Sequence, residues 1–443
     1  RRQRQMCIRD SCRWNAATIL RQGSKEMIKV LEAFSGIGAQ AKALERLNID
    51  YDIVATVDWD INAIMAYDLI HNGVQDLNPY LKYTKQELVS MLSKYTLSPD
   101  GKTPYKEGSL SRTSIEVLRR LLCAIERTNN LVSITDMTSK DIPEDLDLFT
   151  YSFPCQDLSI AGVWHGNMSG IDRDANNRSG MLWEVERILK ECVEKKQQLP
   201  RFLLMENVSN IMAPRHMGNF QEWIDYLEKI GYHSKVYRLN ASRFGIPQIR
   251  KRVFMLSIFV GEDVEKRDLL ERYFHEHNLE SEEYTKSLPL KRKCVQDVIK
   301  NNYERPDYKN EACLSQLHDT PSRQKIIDEN DKILKDGCYI DVLKTITTKQ
   351  DRNPNSGVIE YVNPCEGKAN WRYLTARECF LAMGFDESDY EILMNNNFDI
   401  AKNRKLFSES KLIKMAGNSI VVNVLEAIFM QVIEIKELLE CEG

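Results

Sequence analysis

From residue 27 onward, short apolar runs alternate with stretches whose apolar residues recur at helical spacing. The first run, 28–34, predicts a strand, and Gly36 and Gly38 open a helix that continues to about residue 47. Residues 53–57 predict a second strand and 60–71 a helix. Further strands are predicted over 146–152, 202–205 and 253–257. Strands that alternate with helices predict an α/β fold, with a mostly parallel, Rossmann-like sheet covered by helices on both faces.

Two regions break this rhythm. Residues 78–130 hold a turn signal at Ser98, Pro99, Asp100 and Gly101, then a helix over 114–127. They read as an insertion between two strands of the sheet. Past residue 261 the charge pattern changes: 262–283 carries nine acidic residues against three basic ones and is expected to be helical. Residues 286–325 reverse the sign, with nine Lys/Arg against five Asp/Glu. The layout expected is a first domain over 27–261, a smaller second domain over 262–400, and a segment over 401–443 whose final helix returns to the first domain. Residues 1–26, rich in Arg and Gln without a period, are expected to be a non-native or disordered leader.

Composition narrows the classes. The net charge of -4 neither points to nucleic acid nor excludes it. No apolar run reaches the roughly 18 residues needed to span a bilayer, so no membrane role is expected. The 11 cysteines include no CxxC pair, which argues against a disulfide framework or a zinc site. Reduced thiols, a cytoplasmic location and no metal are expected.

Two places carry chemistry. Residues 34–38, FSGIG, join a strand to a helix, where glycines permit a tight turn and close approach of a ligand. Asp58 lies about 20 residues on, where such folds place a carboxylate for ribose hydroxyls. Trp59 follows it and could stack on an adenine ring, though by itself it is as readily a core or rim residue. The turn departs from the full GxGxxG pattern, which favours a nucleoside ligand lacking pyrophosphate, such as S-adenosylmethionine. The second place is Pro154 and Cys155, just past an apolar strand. A lone cysteine is most often a small core residue. Here proline fixes the approach and a polar loop from Gln156 to Gly162 follows, which makes the thiol a nucleophile candidate. Glu206 ends another buried strand and either faces the same crevice or caps a helix. Arg250 and Arg252 share one face of an extended chain, and two guanidinium groups there need an anion or carbonyl partner.

Taken together the chain resembles the cytosine carbon-5 DNA methyltransferases, particularly the bacterial restriction–modification type. The resemblance runs in order from FSGIG at 34–38 through Asp58 and Trp59, Asp136, FPCQ at 153–156, ENV at 206–208 and GIPQIRKR at 245–252. It continues with LTAREC at 374–379, MGF at 383–385 and GNS at 417–419. It implies a Rossmann-like S-adenosylmethionine-dependent methyltransferase domain with a target-recognition domain over about 262–370. Phe34, Gly36, Gly38, Pro154, Asn418 and Ser419 would line the cofactor site, with Asp58 on the ribose, Trp59 against the adenine and Asp136 at its amino group. Cys155 would be the nucleophile, Glu206 would contact the flipped cytosine, and Arg250 and Arg252 would support it, with Gln156, Asn207 and Gln248 also on the substrate. The loop after Cys155, as far as Gly180, would close over the base. Double-stranded DNA is the implied partner, a cognate restriction endonuclease would act separately, and a monomer is expected. Ala376 stands where the family usually has proline, and no glycine precedes Asp136. A tRNA-modifying branch carries a Cys-Phe-Thr tripeptide that is absent here, and a silent binding module would have lost Cys155 or Glu206.

Overall fold

The computed structural model describes residues 27–154, 158, 171–173, 178–362, 364–402 and 404–441. Its centre is a six-stranded sheet of β1 (Ile28–Ala33), β2 (Tyr51–Val57), β3 (Leu148–Tyr151), β4 (Phe202–Val208), β5 (Tyr232–Asn240) and β6 (Lys251–Phe259), in the order β2-β1-β3-β4-β6-β5. The pairings among β2, β1, β3 and β4 are parallel, and β6 runs antiparallel to both neighbours. The sheet is therefore α/β and mostly parallel, as the alternation predicted. β1 and β3 are buried almost throughout because helices cover both faces of the sheet. Two differences stand out. The fourth strand continues past residue 205 to include Glu206, Asn207 and Val208. β5 was not predicted, since an edge strand needs to bury only one face and the polar residues of YHSKVYRLN obscure its period.

Helix starts follow local chemistry. The Asp60 carboxylate accepts from Asn62 N to cap the helix Ile61–Asn72, and Ser114 caps Ile115–Arg127 in the same way. Within the insertion, Thr84 and Glu87 form a capping box on the helix Lys85–Leu92. Leu88, Leu92, Leu118 and Leu121 are buried in the same apolar cluster as Ile64 and Met65, which packs the insertion on the helix Ile61–Asn72.

After β6 the acidic segment forms the helix Val264–Glu276, whose Phe274 ring meets Tyr237 of β5 edge-on. A second sheet follows, of β7 (Gln316–His318), β8 (Lys332–Lys335), β9 (Cys338–Tyr339), β10 (Val358–Glu360) and β11 (Lys368–Arg372), in the order β7-β11-β10-β8-β9. Strands of two to five residues with register shifts leave too little periodicity to read from sequence. The last helix, Val422–Cys441, packs on the helix Ala39–Leu47 beside β1. The stretch Glu409–Cys441 is long and apolar enough to cross a membrane, yet 89% of its most apolar window is buried inside the protein. Lys42 Nζ reaches Asp389 Oδ1 at 3.0 Å and Arg46 reaches Asp386 Oδ1 at 2.7 Å, two ion pairs that tie the first helix to the region following β11.

Candidate active site

Open α/β sheets form ligand crevices beyond the carboxyl ends of their parallel strands. Here a cavity of roughly 300 Å³ opens at the ends of β1, β2, β3 and β4, at the lower limit of small-molecule sites. Because β6 is antiparallel, its first residues lie at the same edge: Arg252 is opposite Val208 in the register.

The turn after β1 forms one wall. Phe34 has a left-handed φ of 58° and donates its N–H to Val57 O at 2.7 Å, which holds this strained residue in place. Gly36 and Gly38 have φ of 57° and 76°. A Cβ on Gly38 would lie 2.1 Å from His71 Nε2, so glycine is required there by space as well as by conformation. His71 Nε2 is 3.1 Å from Ile37 O, which calls for a proton on that nitrogen. Burial pushes the His71 pKa down to about 4, keeping the ring neutral while it holds the turn.

Asp58, at the end of β2, accepts from Gly36 N and Asp60 N, each at 2.9 Å. Burial, then the charge of Asp60, raises its carboxyl to about 6. Trp59 is half-buried on the cavity wall. Ser133, Ile134 and Thr135 continue that wall. Asp136 does not: Asp136 N bonds back to Ser133 O, the residue is exposed, and its carboxylate accepts from Thr96 Oγ1 at 3.0 Å. The expected aspartate is thus displaced from the wall by a turn that presents residues 133–135 instead.

The opposite wall holds Pro154, Glu206, Arg250 and Arg252. Cys155 and Gln156 lie outside the described residues, as does most of the loop expected to close over the base. Pro154, the residue directly before Cys155, borders the cavity. Burial pushes the Glu206 carboxyl up, against the opposing pull of Arg252 and then Arg250. Arg252 Nε is 3.2 Å from Glu206 Oε1. Arg250 has a different task. Its guanidinium donates to Ile346 O at 3.0 Å and to Gly417 O and Ser419 O at 2.9 Å each. It therefore clamps the segment carrying Asn418 and Ser419, both on the cavity wall, to the end of the sheet.

Two residues expected on the substrate are placed elsewhere. Asn207 is buried, and its Nδ2 donates to Phe153 O at 3.1 Å, bracing the chain two residues before Cys155. Gln248 is fully buried, donating to Ala382 O at 2.8 Å and accepting from Ile346 N at 3.0 Å. Both amides are consumed by backbone partners, which is how buried polar groups are usually satisfied. Thr96 and Gly101 from the insertion, and Lys414 and Met415 from the helix Glu409–Asn418, also line the cavity and were not anticipated. Of these, only Gly101 lay in a sequence signal, the turn at 98–101. The expected basic surface is mixed: Lys286 pairs with Glu282, Lys300 with Glu387 and Arg305 with Asp307, while Lys291 and Lys309 are exposed.

The family model described as C-5 cytosine-specific DNA methylase matches residues 115–434. The orphan methyltransferase M.SssI of Spiroplasma monobiae is 32% identical over 419 residues, covering 92% of this chain and 97% of that protein. The type II methyltransferase M2.ScrFI of Lactococcus lactis subsp. cremoris is 33% identical over 410 residues, covering 91% and 99%. Among solved structures, Dnmt2 methyltransferase of S. pombe superposes with a TM-score of 0.55 at 20% identity, covering 92% of this chain and 98% of that one, a likeness of fold.

Proposed function

The chain belongs to the C-5 cytosine-specific DNA methylases, and from that premise we propose that it methylates carbon 5 of a flipped cytosine in a specific double-stranded DNA sequence, with S-adenosylmethionine as donor and Cys155 as nucleophile. The observation that carries this reading is the sharing of one cavity by Asp58 and Trp59 on one side and Glu206 and Arg252 on the other.

The residues present fit the donor. Asp58 spends two acceptor positions on N–H groups, and an ionised carboxylate offers about four, leaving room for ribose hydroxyls. Trp59 and Ile134 supply apolar walls for adenine, and Phe34, Gly36, Asn418 and Ser419 border the end for the amino-acid portion. When bound, S-adenosylmethionine supplies an electrophilic methyl group.

The protein's own residues prepare cytosine to take that methyl. Carbon 5 of the free base is a poor nucleophile. Bond formation between the Cys155 sulfur and carbon 6 pushes an electron pair toward carbon 5 and ring nitrogen 3. Glu206, whose carboxyl pKa is pushed up by burial, in its protonated form shares a proton with nitrogen 3 and stabilises the charge. Arg252 orients that carboxyl. After methylation carbon 5 loses its proton to a water molecule, the freed electron pair restores the carbon 5–carbon 6 double bond, and Cys155 leaves as thiolate, giving 5-methylcytosine. Reaching these atoms requires extrusion of the base from the stack, at a cost of a few kcal/mol. The region after β6, with exposed Lys291 and Lys309, is read as the target-recognition domain, where cations would meet phosphates. The protein would work as a monomer wherever cellular DNA is accessible. One relative is named an orphan enzyme and the other a type II enzyme, so a separate endonuclease can accompany the protein without being required by its chemistry.

The test is transfer of labelled methyl from S-adenosylmethionine to unmethylated DNA, with nucleoside analysis. Label in 5-methylcytosine is expected. Label on an exocyclic amine, or transfer to RNA alone, would contradict the reading.

A further inference from the structure

The insertion 78–130 does two separate things. Its helices bury leucines against Ile61–Asn72, which accounts for its stability. That packing does not require the turn between the helices to reach the cavity, yet Thr96 and Gly101 both line it. The turn is fastened to the segment just after Asp58. Ser98 donates its N–H to Trp59 O at 2.7 Å and accepts from Ile61 N at 3.0 Å, and Asn62 Nδ2 donates to Pro99 O at 3.0 Å. Thr96 bonds to Asp136 on the far side, beside the wall of residues 133–135. The turn thus bridges the two segments that flank the proposed adenosyl end. Lys414, from the C-terminal part of the chain, closes the ring: its Nζ donates to Asp60 Oδ2 at 3.0 Å and also to Asp100 O. A Cβ on Gly101 would come within 2.6 Å of Asp60 Oδ2, so the turn and the ion pair are in close contact.

We propose that the 96–101 turn is a wall of the cofactor site, closing the adenosyl end of the cavity, and that the Lys414–Asp60 pair is the positioning element that pins it there. This rests on S-adenosylmethionine being the ligand. Lys414 and Thr96 then contribute to cofactor affinity and not to DNA binding. Three parts of the chain distant in sequence, the end of β2, the insertion and the helix Glu409–Asn418, are locked together around one end of the ligand. Loss of Lys414 removes the tie to Asp60 and to Asp100 O at the tip of the turn, while the backbone bonds of Ser98 to Trp59 and Ile61 keep its base in place and the catalytic wall is untouched.

Calorimetric titration of the full chain with S-adenosylmethionine and with 5′-methylthioadenosine, which lacks the amino-acid portion, tests this. Lys414→Met should raise Kd about tenfold for both ligands by the same factor, Lys414→Arg should recover most of the loss, and cofactor-free DNA retention should not change. Thr96→Trp, at a partly exposed position on the cavity wall, should block both ligands at least as strongly, with a thermal melt confirming that the variant is folded. Unchanged affinity in both variants, or a loss confined to S-adenosylmethionine, would overturn the proposal. If the unaltered protein binds neither ligand, the donor assignment itself fails and the proposal falls with it.

Discussion

Arg252 Nε lies 3.2 Å from Glu206 Oε1, a diagonal pair on one face of the antiparallel strands β4 and β6. Only the reversal of β6 makes this possible, since it brings the start of one strand to the end of the other. Burial raises the Glu206 pKa while Arg252 lowers it, so the two residues set the protonation state together. Glu206→Gln should reduce kcat by about 10²–10⁴-fold, the usual range for a lost general acid, with Kd for DNA and cofactor little changed. Arg252→Met removes the opposing cation, so the Glu206 pKa should rise and the alkaline limb of the kcat–pH profile should move to higher pH. A stationary limb would show that another group sets it.

Arg250 is expected to act on stability and on the cofactor wall. Its guanidinium is the shared donor for three backbone carbonyls. Arg250→Ala strands these acceptors, and each buried unsatisfied group costs about 1–3 kcal/mol. A thermal melt should show clear destabilisation, and calorimetry should show weaker cofactor binding through displacement of Asn418 and Ser419. Full stability together with a defect confined to the chemical step would contradict this assignment.

The pH dependence of cofactor binding follows from Asp58. Its folded-state pKa is raised to about 6, above the ordinary value near 3.9. The charged acceptor is therefore present above pH 6 and lost as pH falls through that value. Kd for S-adenosylmethionine should increase between about pH 7 and pH 5, and Asp58→Asn should flatten that slope while binding more weakly at pH 7. A variant with the same pH slope as the unaltered protein would remove Asp58 from the ribose.

Much of this site could be read from sequence, for identifiable reasons. Asp58 and the glycine turn sit at strand ends, and a strand end in a parallel sheet has a predictable location. Glu206 was legible for the same reason, although its strand runs on for two more residues. Position along the chain does not reveal which side chains are already occupied. Asn207 and Gln248 are polar residues amid functional ones, but their amides are consumed by Phe153, Ala382 and Ile346. Asp136 was expected at the adenine from the family resemblance; the turn at 133–136 instead puts residues 133–135 on the cavity wall. Thr96 and Lys414 reach the cavity only through tertiary packing, for which no local signal exists. The second sheet stayed hidden because its strands are too short to show a period.

The most direct measurement compares the unaltered protein with Cys155→Ala on unmethylated plasmid and S-adenosylmethionine, read by sequencing after bisulfite conversion. The unaltered protein should protect cytosines in one recurring short context. Cys155→Ala should protect none while still binding the cofactor. Protection by the variant at the unaltered level would contradict covalent attack by Cys155 and, with it, the mechanism.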